Sequence, residues 1–227
     1  GVFALIGVTV STFGIESLGS LFKLIATLYV TALLFMVIVF GSIMKWVGIR
    51  VSDFTRIFKD ELLLTYSTAS SETVLPRVME KLERMGVPKS IVSFVVPTGY
   101  SFNLDGSALY QALAALFIAQ MYGIDLSIGT QLTLVFVLML TSKGMAAVPG
   151  VSFVVLLATL GTVGIPAEGL AFIAGIDRIM DMMRSVVNVT GNTLASLVIA
   201  KWEGVLDEDQ LETFMSTEGK KDDVRSA

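Results

Sequence analysis

Four polar side chains are spaced so that they share one face of a helix: Asp177, Asp181, Arg184 and Asn188. At about 100° per residue, the spacing i, i+4, i+7 and i+11 confines them to a stripe roughly 60° wide. An arginine fork binds a carboxylate through two hydrogen bonds, and an aspartate binds an ammonium group. The stripe therefore predicts a site for a molecule that carries both groups, as an amino acid does.

A structural interpretation of the same stripe is an ion-pair ladder. In that case Asp177 or Asp181 pairs with Arg184 and only packs the helix against its neighbours. Buried ion pairs add little net stability compared with apolar residues of similar volume, which favours the binding interpretation. Both interpretations predict a buried stripe, because an ionised side chain at the centre of a bilayer costs at least about 2.5 kcal/mol.

A second chemical cluster is predicted where the run SFNLDGS interrupts an apolar segment. Asp105 supplies a carboxylate there, and an unwound helix frees backbone carbonyls, so the oxygen-rich site suits Na⁺ or a similar hard cation. Small hydroxyl and amide groups lie at two further turns, at Ser70 and Ser71 and within residues 142–150. Serine after a turn is equally typical of a helix cap, so these residues are informative only if they converge.

The composition indicates a membrane protein. Of 227 residues, 54% are hydrophobic and 16% are charged, and the mean hydropathy is +0.77. Residues 24–44 contain no charge across 21 positions, which is enough for one helix to cross a hydrocarbon core of about 30 Å. The absence of Cys and His excludes disulfide frameworks, thiolate nucleophiles, Ser-His-Asp triads and imidazole metal sites. The apolar start without Met or a signal pattern predicts a fragment of a longer chain.

The distribution of basic residues predicts the topology. Lys and Arg gather within residues 45–59 and again within 77–89, so both stretches should be cytoplasmic. The 15 residues between them, 62–76, cannot cross once and are too short and polar to cross twice. They should enter the membrane and turn back. Residues 126–167 are apolar apart from Lys143 and break at TSKGMAAVPG, which predicts a second hairpin from the outside.

Together these elements form two halves of opposite orientation, each a hairpin followed by a polar or broken helix. Inverted repeats with interrupted helices are typical of transporters, and their tips mark a site near the midplane. The alternative is that Gly and Pro merely kink ordinary spanning helices, which neighbouring helices tolerate.

Several of these runs resemble motifs of one family, the dicarboxylate/amino acid:cation symporters or glutamate transporters, and especially its bacterial proton/sodium-glutamate branch. The runs are GVFALIG, STASSETVLPR, PTGYSFNLDGSALYQ, SKGMAAVPG and GIDRIMDMMRSVVNVTGN. The resemblance implies an all-α membrane protein: the transport domain of the glutamate-transporter fold, with two re-entrant helical hairpins and broken transmembrane helices in inverted repeat. It also implies a multi-pass protein of the bacterial inner membrane, surrounded by lipid. The protein would be a homotrimer assembled through a scaffold that precedes this chain, without nucleic-acid partners.

Under this resemblance the chain divides into six parts. They are residues 1–50, the end of the fifth and the whole sixth transmembrane helix; 51–89, the first re-entrant hairpin; 90–124, the seventh helix, broken at NLDG; 125–167, the second re-entrant hairpin; 168–202, the eighth helix; and 203–227, an acidic cytoplasmic tail. The composition of the tail predicts a solvated and partly disordered end.

The implied function is symport of glutamate or aspartate with H⁺ and/or Na⁺, by an elevator-type alternating-access mechanism and without a cofactor. Arg184 would clamp the side-chain carboxylate, and Asp181, which the C4-dicarboxylate branch lacks, would hold the amino group. The implied substrate-binding residues are Ala69, Ser71, Ser107, Val148, Ser152, Asp181, Arg184, Ser185 and Asn188. The implied cation ligands are Gly99, Ser101, Asn103, Asp105, Ser142, Lys143, Met145, Asn188 and Asn192.

The sequence departs from the family pattern at three places. Asn192 stands where sodium-driven relatives have an aspartate, so one sodium site loses its charge. Glu72 stands where they have a neutral residue, and if it is half-buried, desolvation favours its protonated form and makes it a proton carrier. A helix cap or an ion pair with Arg77 is the alternative for Glu72. Arg178 is assigned a tuning role, because the relatives' second arginine lies where this chain has Ala69.

Three other functions fit parts of the pattern. A C4-dicarboxylate:cation symporter of the same family differs only in the ligand. An anion channel would use the same polar midplane without stoichiometric coupling. An intramembrane protease would pair Asp105 with Asp181, but Arg184 would neutralise one partner. The sequence therefore favours a transporter over an enzyme.

Overall fold

The structure, a computed structural model, describes residues 2–143, 150–161 and 164–225. Within these ranges all regular structure is helical. The helices of the first half are α1 (Val2–Phe13), α2 (Ser17–Phe35), α3 (Gly41–Val47), α4 (Val51–Ile57), α5 (Lys59–Thr68), α6 (Leu75–Arg84) and α7 (Lys89–Phe102). Those of the second half are α8 (Asp105–Met121), α9 (Ile128–Thr141), α10 (Val151–Leu160), α11 (Leu170–Ile173), α12 (Asp177–Trp202) and α13 (Glu208–Arg225).

The longest apolar element is built from α2 and α3, which a π-helical turn, Met36–Phe40, joins into one helix. This helix, Ser17–Val47, has 31 residues, and an 18-residue stretch within it has a mean hydropathy of 2.5. It is long and apolar enough to cross a membrane, and it contains the uncharged residues 24–44. Large apolar side chains such as Phe22 and Val37 are exposed on its surface, as expected of a helix that faces lipid.

The run SFNLDGS interrupts a helix, as its polar character predicts. α7 ends at Phe102 and α8 begins at Asp105, and Asn103 and Leu104 between them have non-helical ψ angles of 73° and 63°. The Asn103 amide donates to the Gly99 carbonyl at 2.7 Å and closes the last turn of α7. The carbonyl end of α7 and the first carboxylate of α8 therefore lie next to each other.

The polar stretch within residues 62–76 forms a turn between α5 and α6. Ala69, at φ 50° and ψ 40°, has a left-handed conformation and ends α5. A short 3₁₀ helix, Glu72–Val74, follows, and α6 begins with a proline in its first turn. In the second half, α9 and α10 pack against each other on either side of residues 144–149, which lie outside the described residues.

α12 is the central element. It packs against α2, α5, α7 and α8, and nearly all of its residues between Met180 and Leu197 are buried. The apolar core divides into two clusters, one formed mainly with α3, α4, α6 and α7, the other with α2, α8, α9 and α10. The predicted eighth helix, 168–202, is shorter at its start, since α12 begins at Asp177. Gly175, just before it, lies so close to the backbone of Ile6 that a Cβ would be 3.0 Å from the Ile6 nitrogen.

The prediction of a partly disordered tail is wrong for the part of the tail that the structure describes, because α13 is helical. Asp207 caps this helix by accepting from the Gln210 amide at 2.9 Å, and its own amide donates to the Gly86 carbonyl. Leu211 is buried against the base of α6. Composition alone misses this docking, because the contacts of Leu211, Phe214 and Met215 with the core depend on the fold and not on the local sequence.

An ion pair joins α5 to α6 and provides a test of the fold. Lys81 Nζ lies 2.6 Å from Glu61 Oε2 and also donates to the Ile57 carbonyl, and Glu61 is 2% exposed. We expect Lys81→Met to lower the free energy of unfolding by about 3 kcal/mol, because it leaves a buried carboxylate unpaired. The measurement is thermal or denaturant unfolding of the purified full-length protein.

Lys201→Met is the matched control, because the side chain of its partner Glu208 is 70% exposed. Exposed pairs contribute at most about 1 kcal/mol. Equal losses of stability in the two variants would contradict the structural role of the Lys81 pair.

Candidate substrate and cation site

Arg184 is the centre of the polar stripe on α12. It is only 2% exposed, and its Nε donates to Asp181 Oδ1 at 2.7 Å while its Nη1 lies 3.3 Å from Asp177 Oδ1. The ring of Tyr110 on α8 lies beneath the guanidinium, with 4.4 Å between the centroid and Cζ. The ion-pair ladder considered above is therefore present.

The ladder does not use the whole guanidinium. Arg184 Nη2 is buried and has no hydrogen-bond partner among the described residues. An arginine has five N–H donors, and a buried donor without an acceptor costs about 1–3 kcal/mol. The Nη2 group is thus an open donor inside the protein, of the type that a ligand carboxylate satisfies.

Asp181 joins the stripe to the start of α10. Its Oδ2 accepts from the amide of Gly150, the residue before α10, at 3.0 Å, and its Oδ1 lies 3.4 Å from Ser185 Oγ. Gly150 has a φ of 83°, a conformation that favours glycine. The Asp181 carboxylate therefore accepts hydrogen bonds both from its own helix and from Gly150 at the start of α10.

Ser107, Ser152 and Asn188 meet in one hydrogen-bond network between α8, α10 and α12. Ser152 Oγ lies 2.9 Å from Ser107 Oγ, which also accepts from Asn188 Nδ2 at 3.2 Å. The Gly106 amide donates to Asn188 Oδ1 at 2.8 Å. The structure thus brings together six of the nine predicted substrate residues: Ser107, Ser152, Asp181, Arg184, Ser185 and Asn188. Val148 lies outside the described residues.

Two further residues of this site were not predicted. Gln111 donates from Nε2 to the Ser152 carbonyl at 3.2 Å, and Tyr110 lies under Arg184. Both belong to the run SALYQ and follow Ser107 at i+3 and i+4, so they share its helix face. That spacing was the sequence signal that could have identified them.

The remaining predicted substrate residues, Ala69 and Ser71, lie at the turn after α5. Both are buried, at 1% and 3% exposure. Ser71 lines a small cavity with Tyr100 and Asn192, and the side-chain oxygens Ser71 Oγ, Tyr100 Oη and Asn192 Oδ1 have no partner among the described residues. The turn therefore lies next to α12 near Asn192. Among the described residues it makes no contact with Arg184.

The predicted cation ligands gather around Gly191. A Cβ at Gly191 would lie 2.5 Å from Asp105 Oδ2, 3.1 Å from Phe40 Cζ and 3.4 Å from Asn103 Nδ2. Side chains of the α7–α8 break therefore lie directly against α12 at Gly191, and an added Cβ would force them to shift. Gly99 likewise lies directly against the side chain of Asn192. Asp105, Asn103, Gly99 and Asn192 are thus neighbours.

No group of three or more His, Cys, Asp or Glu side chains that could hold a metal ion occurs in the part of the chain that the structure describes. A cation at the break would therefore be held by carbonyls, amides and the single carboxylate of Asp105, a set that suits Na⁺ better than a transition metal. Ser101, at the end of α7, is half-buried. Met145 lies outside the described residues.

Ser142 and Lys143 directly follow α9, which ends at Thr141. Ser142 is buried and its Oγ donates to the Met139 carbonyl at 3.0 Å. The Lys143 side chain is exposed, and its Nζ donates to the Phe102 carbonyl at 2.7 Å. Lys143 thus reaches the α7–α8 break with its ammonium group, whereas the sequence assigned it a carbonyl ligand.

Of the two residues assigned to proton transfer and tuning, Glu72 lies at the turn between α5 and α6, and Arg178 on α12 contacts the end of α5. Glu72 is exposed in this structure, which corrects the expectation of a half-buried carboxyl. Arg178 Nη2 donates to the Thr68 carbonyl at 2.8 Å. Arg178 therefore ties α12 to the last turn of α5.

The fold and site together define a class of protein. A helix that can cross a membrane, a helix interrupted at an oxygen-rich run, and a buried stripe of charges on a central helix indicate a membrane protein with an internal binding site for polar ligands.

Comparisons with known proteins narrow this class. Residues 1–202 match the family described as "Sodium:dicarboxylate symporter family", and the chain belongs to that family. The chain is 66% identical over 216 residues to the "Proton/sodium-glutamate symport protein" of Bacillus subtilis (strain 168), covering 95% of this chain and 50% of that protein.

Two other relatives cover the chain to a similar extent. The "Proton/glutamate-aspartate symporter" of Escherichia coli (strain K12) is 64% identical over 207 residues, 91% of this chain and 47% of that protein. The "C4-dicarboxylate transport protein" of Laribacter hongkongensis (strain HLHK9) is 50% identical over 212 residues, 93% and 48% of the two chains. The chain thus spans about half the length of these relatives.

Proposed function

We propose that this chain is the transport domain of a secondary active symporter that carries an acidic amino acid, glutamate or aspartate, with Na⁺ and/or H⁺. The observation that carries the proposal is the buried Arg184 Nη2 group, which has no partner among the described residues and lies beside the Asp181 carboxylate. One open cationic donor and one neighbouring carboxylate match the carboxylate and the ammonium group of a single amino acid.

The names of relatives support the same substrate class. The two relatives named for glutamate are more similar to this chain than the one named for C4-dicarboxylates. Asp181 gives a physical reason, because an aspartate beside the ligand attracts an ammonium group and repels a second carboxylate. An anion channel is disfavoured by the same residue, since a buried carboxylate in the path opposes anion conduction.

The mechanism we propose is alternating access of the elevator type. Cations bind around Asp105 and Asn103, the tip at 142–152 closes over the amino acid, and the whole domain moves across the membrane. Closure must depend on both ligands, because closure with one of them would dissipate the gradient. The turn at 62–76 and the segment 125–167 would act as the re-entrant hairpins. A scaffold outside this chain would assemble the homotrimer in the bacterial inner membrane, with residues 203–227 on the cytoplasmic side.

The identity of the coupling ion depends on the proposed roles of three residues. Asn192 removes one charge from the cation site, whereas the exposed position of Glu72 removes the burial on which its proton-carrier role depended. Arg178 is proposed to tune the site through the end of α5, which its guanidinium contacts. None of these roles requires a cofactor.

Uptake into proteoliposomes tests the function directly. The full-length protein takes up labelled glutamate under separately imposed Na⁺ and H⁺ gradients, with unlabelled aspartate and succinate as competitors. We expect saturable uptake that aspartate inhibits and succinate does not. Inhibition by succinate alone would assign the chain to the C4-dicarboxylate carriers, and flux that does not saturate would indicate a channel.

Asp181→Asn tests the role of the carboxylate in selectivity. We expect the apparent affinity for glutamate to fall by about tenfold to a hundredfold, because a charge-assisted bond to the ammonium group contributes about 1.5–3 kcal/mol. Inhibition by succinate should fall less or improve. Thr193→Val, which removes only a hydroxyl that donates to the Val189 carbonyl of the same helix, is the control and should change affinity by less than about threefold. Equal losses for both ligands in Asp181→Asn would contradict the assignment.

A further inference from the structure

The break between α7 and α8 brings backbone carbonyls and a carboxylate together, and both can accept a positively charged group. The last carbonyls of α7 point out of the helix end, where the helix dipole is negative. Asp105 adds a carboxylate in the first turn of α8. A site of this kind can accept a positive charge, and the proposed function assigns the coupling cation to it.

The structure already shows one positive group there. Lys143 Nζ donates to the carbonyl of Phe102, the last residue of α7, at 2.7 Å. The same ammonium group is close enough to Asp105 to interact with its carboxylate electrostatically. Lys143 comes from the end of α9 and reaches a residue 41 positions away, although an exposed lysine is normally satisfied by water.

We propose that Lys143 is a tethered substitute for the coupling cation. When no cation is bound, its ammonium group neutralises the carbonyl end of α7 and Asp105. When a cation binds, the ammonium group is displaced by charge repulsion and by loss of its acceptor. This inference rests on the proposed function, because it assumes that the cation binds at the α7–α8 break.

The proposal predicts competition between the lysine and the cation. Lys143→Gln removes the charge but keeps a polar side chain of similar length, and Lys143→Arg keeps the charge. We expect Lys143→Gln to lower the Na⁺ concentration that gives half of the maximal thermal stabilisation. The expected change is about two- to fivefold, the range that an exposed ion pair supports. Lys143→Arg should stay within about twofold of wild type.

The measurement is the thermal unfolding temperature of the purified full-length protein as NaCl replaces choline chloride at constant ionic strength. Lys89→Gln is the matched control, because Lys89 is an exposed lysine at the opposite end of α7. It should leave the half-maximal Na⁺ concentration unchanged. A shift in Lys143→Gln without a shift in Lys89→Gln would support the proposal.

The proposal is overturned if Lys143→Gln has the same or a higher half-maximal Na⁺ concentration, or if Na⁺ stabilises neither protein. Glutamate uptake by the wild type, measured in parallel, separates this result from failure of the proposed function. Saturable uptake with an unchanged Na⁺ midpoint would refute only the role of Lys143. A shifted midpoint in a protein without glutamate uptake would refute only the substrate.

Discussion

Replacing Arg184 by lysine is expected to reduce glutamate uptake by at least about a hundredfold. Lysine keeps the charge that pairs with Asp181 and Asp177, but it lacks the planar fork that presents Nη2 to a ligand carboxylate. The loss of a charge-assisted hydrogen bond of about 1.5–3 kcal/mol, together with the altered geometry of the pair, gives this magnitude. Initial rates of uptake over a range of glutamate concentrations measure it.

Arg178→Lys is the control for this experiment. Arg178 lies on the same helix, and its described bond goes to one backbone carbonyl, which a lysine can also reach. Its uptake should remain within about threefold of wild type. The unfolding temperatures of both variants must be compared, so that a loss of uptake is not a loss of folding. Uptake by Arg184→Lys within about tenfold of wild type would show that Nη2 does not bind the substrate.

The second large effect is expected for Gly106→Ala. A Cβ at this position would overlap the Arg184 carbonyl oxygen and lie 2.8 Å from Arg184 Cα. Because both atoms belong to the backbone of α12, the first turn of α8 would have to move away. We expect a loss of about 3 kcal/mol in stability, at the upper end for an added methyl group. Transport should also be lost, because Ser107 and Asn188 would separate.

Gly161→Ala is the matched control. Gly161 has a helical φ of −62°, and a Cβ added there would have no atom of the described residues within 4 Å, so alanine fits without strain. The unfolding free energy should remain unchanged or rise slightly, since alanine restricts the unfolded chain. Unfolding and uptake of both variants provide the comparison. A Gly106→Ala protein with wild-type stability would show that α8 and α12 do not approach each other as closely as these distances indicate.

The sequence predicted those features that depend on local pattern. The stripe on α12 follows from helical spacing alone, and its burial follows from the cost of charges in lipid. The break at Asn103 and Leu104 was predicted because a polar run interrupts an apolar one. Features that depend on distant contacts were not accessible: the Ser107–Ser152 hydrogen bond joins residues 45 positions apart, and no spacing rule relates them.

The errors have the same origin. The exposure of Glu72 depends on which neighbours cover the turn between α5 and α6. The helical structure of residues 208–225 depends on docking against α6. The choice between an ion-pair ladder and a ligand site was also undecidable from spacing. The structure contains the ladder, and only the position of the unpartnered Nη2 group shows that the ladder leaves a donor open.

The pairing of one guanidinium with two carboxylates has a consequence for electrostatic balance. Arg184, Asp177 and Asp181 together carry one net negative charge when all are ionised. A succinate dianion would raise the local total to three negative charges, whereas glutamate, with one net negative charge, would raise it to two. Each extra charge is costly in a medium of low dielectric constant. The site therefore disfavours simple dianions by its own charge, and a coupling cation at the α7–α8 break would reduce the penalty for any anionic ligand that enters.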